Sequence, residues 1–293
     1  MAHTFKIDFY AVEIPEDAPA FERLVMDDAT SNDDETRTLE IEGYPIRLQD
    51  AQSIPAGVIE ADMLKIQMAE LPPRAKLSGR VRNLNLDTDE GIGGETAFLY
   101  DPRTKVLVLQ RNKNGVSARS LARYFESKAQ SDSPIVLAPI IQKDALDRLS
   151  RMKETRKLKV RFAAVTNPDF FRGADVGLGE MVDVLEYFRA PTGSFEISMG
   201  HQRGSLWSTR ITALARRLFN RPSAGTGDVT TMEVSGVLDD DSRDKFDVLL
   251  YRMVETGTLQ VNDRRRSPYS MRRPEIKRAW QHRRQELAAM FKA

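Results

Sequence analysis

Cysteine is absent from the 293-residue chain, and histidine occurs three times, as His3, His201 and His282. Without thiols there is no disulfide, no thiolate metal site and no cysteine nucleophile. The three imidazoles lie far apart, with no metal-ligand spacing, and no GxSxG accompanies them. No run of 18 apolar residues occurs and no charged-then-apolar signal pattern opens the chain, so a soluble, cytoplasmic protein is expected. Gly91-Ile92-Gly93-Gly94 lacks the Lys-Ser/Thr of a P-loop and the full GxGxxG, and it precedes a strand pattern rather than a helix. The acidic runs Asp33-Asp34-Glu35 and Asp239-Asp240-Asp241 sit in loop-like sequence, where consecutive carboxylates point in different directions instead of converging on an ion. No catalytic residue, metal or cofactor is therefore expected.

What the chain does have is segregated charge. The formal net charge of +1 hides it. Residues 1–62 carry 4 basic and 15 acidic side chains, whereas residues 63–165 carry 20 and 11. Residues 166–262 carry 10 and 14, and residues 263–293 carry 10 and 3. Blocks of opposite sign in one chain point to internal pairing or to a polyanion-binding face.

The clearest structural run is 94–165. Glu95–Tyr100 and Lys105–Gln110 are apolar-rich and flank Asp101-Pro102-Arg103-Thr104, whose Asp and Pro suit the first two positions of a type I turn, so a β-hairpin is predicted. Ser117 is placed to cap a helix bearing Leu121, Ala122, Phe125 and Ala129 on one face. A strand over Ile135–Ile141, a helix over Asp144–Met152 and a strand over Leu158–Val165 follow. In that last strand Lys157, Lys159 and Arg161 alternate with Leu158, Val160 and Phe162, which puts the cations on one face. Thr4–Ile14 reads as an opening strand, and Arg37–Gln49 as two strands about Glu42-Gly43. The turn cluster Thr166-Asn167-Pro168-Asp169 is taken as the domain boundary. Beyond it come helices at Asp175–Phe188, from Ser205, and at Arg243–Val254, and strands at Ser194–Gly200 and Val229–Leu238. A basic tail closes in a helix with Pro274 in its first turn. The predicted class is α+β with two domains. Residues 1–165 form an N-terminal domain with a mixed or antiparallel sheet and helices, and residues 166–293 a smaller α+β domain ending in the Arg-rich helix.

The candidate binding residues are cations, because Lys and Arg that neutralise phosphates supply most non-specific nucleic-acid affinity. One group is Arg111, Lys113, Arg119 and Arg123, and a second runs from Arg148 to Arg161 with Lys157, Lys159 and Arg161 at its core. A third is Arg210, Arg216, Arg217 and Arg221, and the fourth lies in the tail, including Arg264, Arg265, Arg266, Arg272, Arg273 and Lys277. These groups are expected to converge on one concave anion receptor. No zinc-finger spacing, basic zipper, persuasive helix-turn-helix or RNP-like aromatic strand is present, so base-specific reading is not expected.

The order GETAFLYDPRTKVLVLQ (94–110), helix 117–128, IVLAPII (135–141), helix 144–152 and KLKVRFAAV (157–165) resembles the RexA-like DNA-binding sensors of phage-exclusion systems, and more loosely the DNA-binding subunit of the Kiwa defence system. The resemblance is one of order and character over about a quarter of the chain. It implies a two-domain α+β homodimer that binds double-stranded DNA without strong sequence preference and signals to a membrane effector. The Arg-rich tail has no counterpart in that pattern. A metal-dependent nuclease and a dimeric interaction protein without a nucleic-acid role, with the acidic block 1–62 paired to the tail, are the alternatives.

Overall fold

The computed structural model describes residues 2–31, 33–76, 78–131, 133–140, 142–163, 178–220, 229–248, 252–260 and 267–291. The protein is α+β, and its chain divides into two compact units that are not consecutive in sequence. The first takes residues 1–8, 14–135 and 254–293, and the second residues 9–13 and 136–253. This differs from the single boundary expected at 165/166. The basic tail belongs to the first unit, because it packs on strands laid down more than 150 residues earlier.

The sheet of the first unit has the strand order β12-β1-β6-β5-β4-β3-β2. Here β1 is Ala2–Glu13, β2 Leu39–Ile41, β3 Tyr44–Ile54, β4 Val58–Gln67, β5 Ile92–Asp101, β6 Val106–Arg111 and β12 Val254–Gln260. The β5–β6 hairpin forms as predicted, and Asp101 Oδ1 accepts the Arg103 N–H at 3.2 Å to shape its turn. Lys105 closes the turn at φ 52°. Alternation along β5 sends Thr96, Phe98 and Tyr100 to one side and Glu95, Ala97, Leu99 and Asp101 to the other.

The first side is covered by α1 (Phe21–Thr30) and α3 (Ala118–Ala129). Ser117 caps α3 by accepting the Ser120 N–H at 3.0 Å. Leu121, Ala122, Tyr124 and Phe125 are its buried stripe. Phe21, Phe98, Tyr100 and Phe125 meet edge-to-face, with centroids 4.9 to 6.4 Å apart. The buried Tyr124 hydroxyl lies 2.6 Å from Asp28 Oδ2 and accepts the Leu48 N–H at 3.3 Å, tying helix to strand.

The second side is covered by the C-terminal helix, Tyr269–Met290, called α7 below. It begins five residues before Pro274, which stands inside the helix rather than in its first turn. Ile276, Ala279, Trp280 and Leu287 face inward, and the Trp280 indole donates to Asp101 Oδ2 at 3.2 Å.

In the second unit β8 (Met152–Ala163), β9 (Thr192–Ser198), β10 (Val229–Leu238) and β11 (Arg243–Asp247) form an antiparallel sheet in the order β11-β10-β8-β9. The last residues of β1 pair with β7 (Val136–Pro139). Helices α4 (Lys143–Ser150), α5 (Leu178–Tyr187) and α6 (Ser208–Asn220) lie on one face. Its core joins Leu158, Val160 and Phe162 of β8 to Val182, Leu185, Ile211 and Leu214. Residues 243–247 are a strand, not the start of the predicted helix. Phe246 alternates with Arg243, Lys245 and Asp247, and β10 supplies the pairing partner.

Candidate nucleic-acid interface

The face of the four-stranded sheet opposite the described helices is built by period-two alternation. Because Leu158, Val160 and Phe162 point into the core, Lys157, Lys159 and Arg161 point the other way. They recur at about 6.7 Å, two residues of strand rise. The register adds the neighbours. Lys157 lies between Ser198 and Ser235, Lys159 between Glu196 and Glu233, and Arg161 between Ser194 and Thr231. On β11, Lys245 lies opposite Ser235, and Arg243 precedes it on the same face. Five cations thus share the surface with four carboxylates (Glu154, Glu196, Glu233 and Asp247) and a set of hydroxyls.

The carboxylates order the cations without cancelling them. Lys157 Nζ stands 2.8 Å from Glu196, and Lys245 Nζ 3.1 Å from Glu233. The hydrogen bond from Lys157 holds Glu196 below the ordinary carboxylate range, with Lys159 and Lys245 adding to the pull. Asp247 is occupied, accepting the Met232 N–H at 3.0 Å. Exposed pairs of this kind contribute little to stability.

Of the other predicted cations in this unit, Arg210 does not join this face. Arg210 stands on α6, in the helical layer, stacked 4.0 Å over the exposed Trp207 ring. Arg217 falls on the same helix, and its side chain, like Arg221, Arg264, Arg265 and Arg266, lies outside the described residues. In the first unit Arg111 is engaged by Asp8, and Arg119 by Glu42 at 2.8 Å with Arg123 behind it at 3.8 Å. Lys113 is exposed in the loop after β6.

Arg272 is buried, 2% exposed, so the sequence expectation of a phosphate contact gives way to a structural role. Its guanidinium donates to both Asp62 oxygens at 2.8 and 2.9 Å, to Glu95 at 3.1 Å and to Gln110 at 3.0 Å. Arg273 and Lys277 sit at the rim, each 3.7 Å from Glu60. Tail and acidic block therefore pair within one chain, a contact that needs no second copy. Because α3 and α7 cover opposite sides of the sheet, Arg119 and Arg123 do not share a surface with Arg273 and Lys277, so one convergent receptor does not form. The sequence analysis missed Arg243 and Lys245 because it read 243–254 as a helix. The alternation in Arg-Asp-Lys-Phe-Asp was the available signal.

A cavity of about 610 Å³ between α4 and α6 is lined by Leu149, Ser150, Ser208, Thr209, Thr212 and Ala213, none of them ionisable. Among the described residues no group of three or more His, Asp or Glu side chains is arranged to hold a metal ion, and no helix is long and apolar enough to cross a membrane. No curated protein matches the chain. Residues 3–286, nearly its whole length, match the family of unknown function DUF6731, and the chain belongs to that family.

Proposed function

We propose that this protein binds double-stranded DNA without sequence preference, as a sensor or regulator in a phage-exclusion system. The observation that carries the DNA part is the row Lys157, Lys159, Arg161 on the sheet face opposite the described helices, joined by Arg243 and Lys245 and interleaved with Ser and Thr hydroxyls. Such a face offers phosphate contacts and no shape that reads base edges, which suits backbone-directed binding. The biological setting, a homodimeric state, a cytoplasmic location and a membrane-effector partner rest on the resemblance to RexA-like sensors and belong to the same proposal.

The test is a salt-titrated binding assay with labelled duplexes of unrelated sequence. The wild-type protein should bind both alike, with affinity falling steeply as salt rises. The triple variant Lys157→Ala, Lys159→Ala, Arg161→Ala should weaken binding and reduce the slope of log K against log salt by about 2.7, near 0.9 per phosphate contact. A flat salt dependence in the wild type defeats the proposal. Cleavage of plasmid with Mg²⁺, abolished by EDTA, would replace it with the nuclease reading.

A second reading, an interaction protein without nucleic acid, is favoured by the exposed Tyr187–Phe188 pair at the end of α5, 82% and 72% exposed. Absence of any gel shift, with self-association lost in a Tyr187→Ser, Phe188→Ser variant, would select it.

A further inference from the structure

Gln67 and Ile92 are directly paired residues of the adjacent antiparallel strands β4 and β5, so the 24 residues between them form one excursion from the sheet. Two residues suffice to join such strands, and long connections of this kind are usually functional. From Leu71 to Leu86 the excursion contains Arg74, Lys76, Arg80 and Arg82 and no acidic residue. The acids stand at its base instead, as Glu70, Asp87, Asp89 and Glu90.

The base is fixed. The Gln67 amide donates to the carbonyls of Ala69 and Glu70, both at 3.0 Å, and Glu90 accepts the Asp87 N–H at 3.0 Å. Further out, Arg74 and Arg82 exchange both backbone hydrogen bonds, at 2.9 and 3.0 Å, and close a hairpin. Directly opposed residues of an antiparallel pair project their side chains to the same side, and like charges so placed repel. All four cations are exposed, and among the described residues none of the four side chains is in an ion pair or hydrogen bond. This sets them apart from Arg111, Arg119 and Arg272, which carboxylates hold. Val81, between Arg80 and Arg82, is 61% exposed. Four unanswered cations on one exposed hairpin, with a small exposed apolar side chain between two of them in sequence, make the character of a groove-entering arm.

We propose that the Arg74–Arg82 hairpin is a duplex-binding arm, its cations on phosphates flanking a groove and Val81 against the groove wall. The inference rests on the DNA-binding reading above and adds a contact surface in the other unit of the chain. A membrane surface is the less favoured partner, because among the described residues between Arg74 and Arg82 only Val81 is an exposed large apolar side chain, and those residues form no amphipathic helix.

The test uses the full chain, a labelled 30-base-pair duplex, and vesicles of phosphatidylserine and phosphatidylcholine. The quadruple variant Arg74→Ala, Lys76→Ala, Arg80→Ala, Arg82→Ala should keep the wild-type circular dichroism, since none of these side chains makes an ion pair or hydrogen bond among the described residues. It should bind duplex roughly tenfold or more weakly, with a salt slope smaller by about 3 to 4. Replacing the three arginines by lysine should restore most of the slope. A wild-type protein that binds duplex steeply, alongside a quadruple variant with unchanged affinity and slope, overturns the arm while leaving the sheet face standing. If the sheet-face triple variant binds normally and the arm variant does not, the arm stands and the sheet face falls. Wild-type protein that binds no duplex overturns both. Loss of vesicle binding in the arm variant with duplex binding intact assigns the arm to lipid and overturns the proposal.

Discussion

Arg272→Ala should lower the unfolding free energy by about 3–5 kcal/mol, the cost of removing one partner from a buried ion pair. The size follows from what is left behind. Asp62 is 1% exposed and Gln110 7% exposed, and Glu95 completes the set around the guanidinium. With the cation gone, an ionised Asp62 is left buried without the partner that answers it. The deficit should depend on pH. Burial already pushes the Asp62 carboxyl above its usual range, and Arg272 pulls it back, while Glu95 and Asp50 push in the same direction as burial. In the variant the upward push is unopposed, so the folded state takes up a proton more readily than the unfolded chain does. The deficit is then full at pH 8 and shrinks as pH falls through the variant's raised folded pKa. Trp280, buried on the same helix, reports the transition by its fluorescence, whereas the other tryptophan, Trp207, is exposed. Denaturant titrations at pH 8 and pH 5 measure both effects. A loss below about 1 kcal/mol at pH 8 would mean that the network does not hold α7, and that the tail is free to act elsewhere.

The same residue shows why the tail was misread. In sequence, Arg272 is one of nine cations between residues 264 and 284, and nothing nearby distinguishes it. The carboxylates that claim it lie 210 and 177 positions away, on strands whose pairing no local pattern encodes. Composition cannot separate a buried cation from a solvated one when the answering charges are that distant. Elements set by local physics were legible. The β5–β6 hairpin followed from its turn residues, the start of α3 from Ser117, and the cationic row on β8 from strict alternation. β11 was not, because Phe246, Leu249, Leu250 and Met253 repeat at helical spacing. Pairing with β10 decides the conformation of residues 243–247 against that period. The division into units was illegible for a related reason. A linear boundary presumes that the chain does not return, and β12 and α7 do return to the first unit. The four cations from Arg74 to Arg82 were counted only within the basic block 63–165 and not singled out, since Pro72-Pro73 marks a turn and gives no sign of what the turn carries.

Phe162→Ala should cost the second unit about 3–5 kcal/mol, the range for deleting a buried aromatic ring. Phe162 is fully buried at the end of β8, in edge-to-face contact with Phe195 at 5.9 Å. It lies beside Arg161 in sequence and pairs with Val229 and Gly193 across the two neighbouring strands. The ring thus anchors, from the core side, the strand that displays Lys157, Lys159 and Arg161 on the other. Amide exchange should accelerate along β8 and β10 and stay slow along β4 and β5, since local opening follows the cooperative unit that lost its packing. If the sheet face binds DNA as proposed, affinity should fall with temperature in step with that opening, and at low temperature the salt slope should match the wild type, because none of its cations has been removed. Uniform acceleration of exchange through both units would show that they unfold as one. A salt slope reduced at low temperature would show that the cations on β8 need the packed ring behind them to meet the phosphates in register.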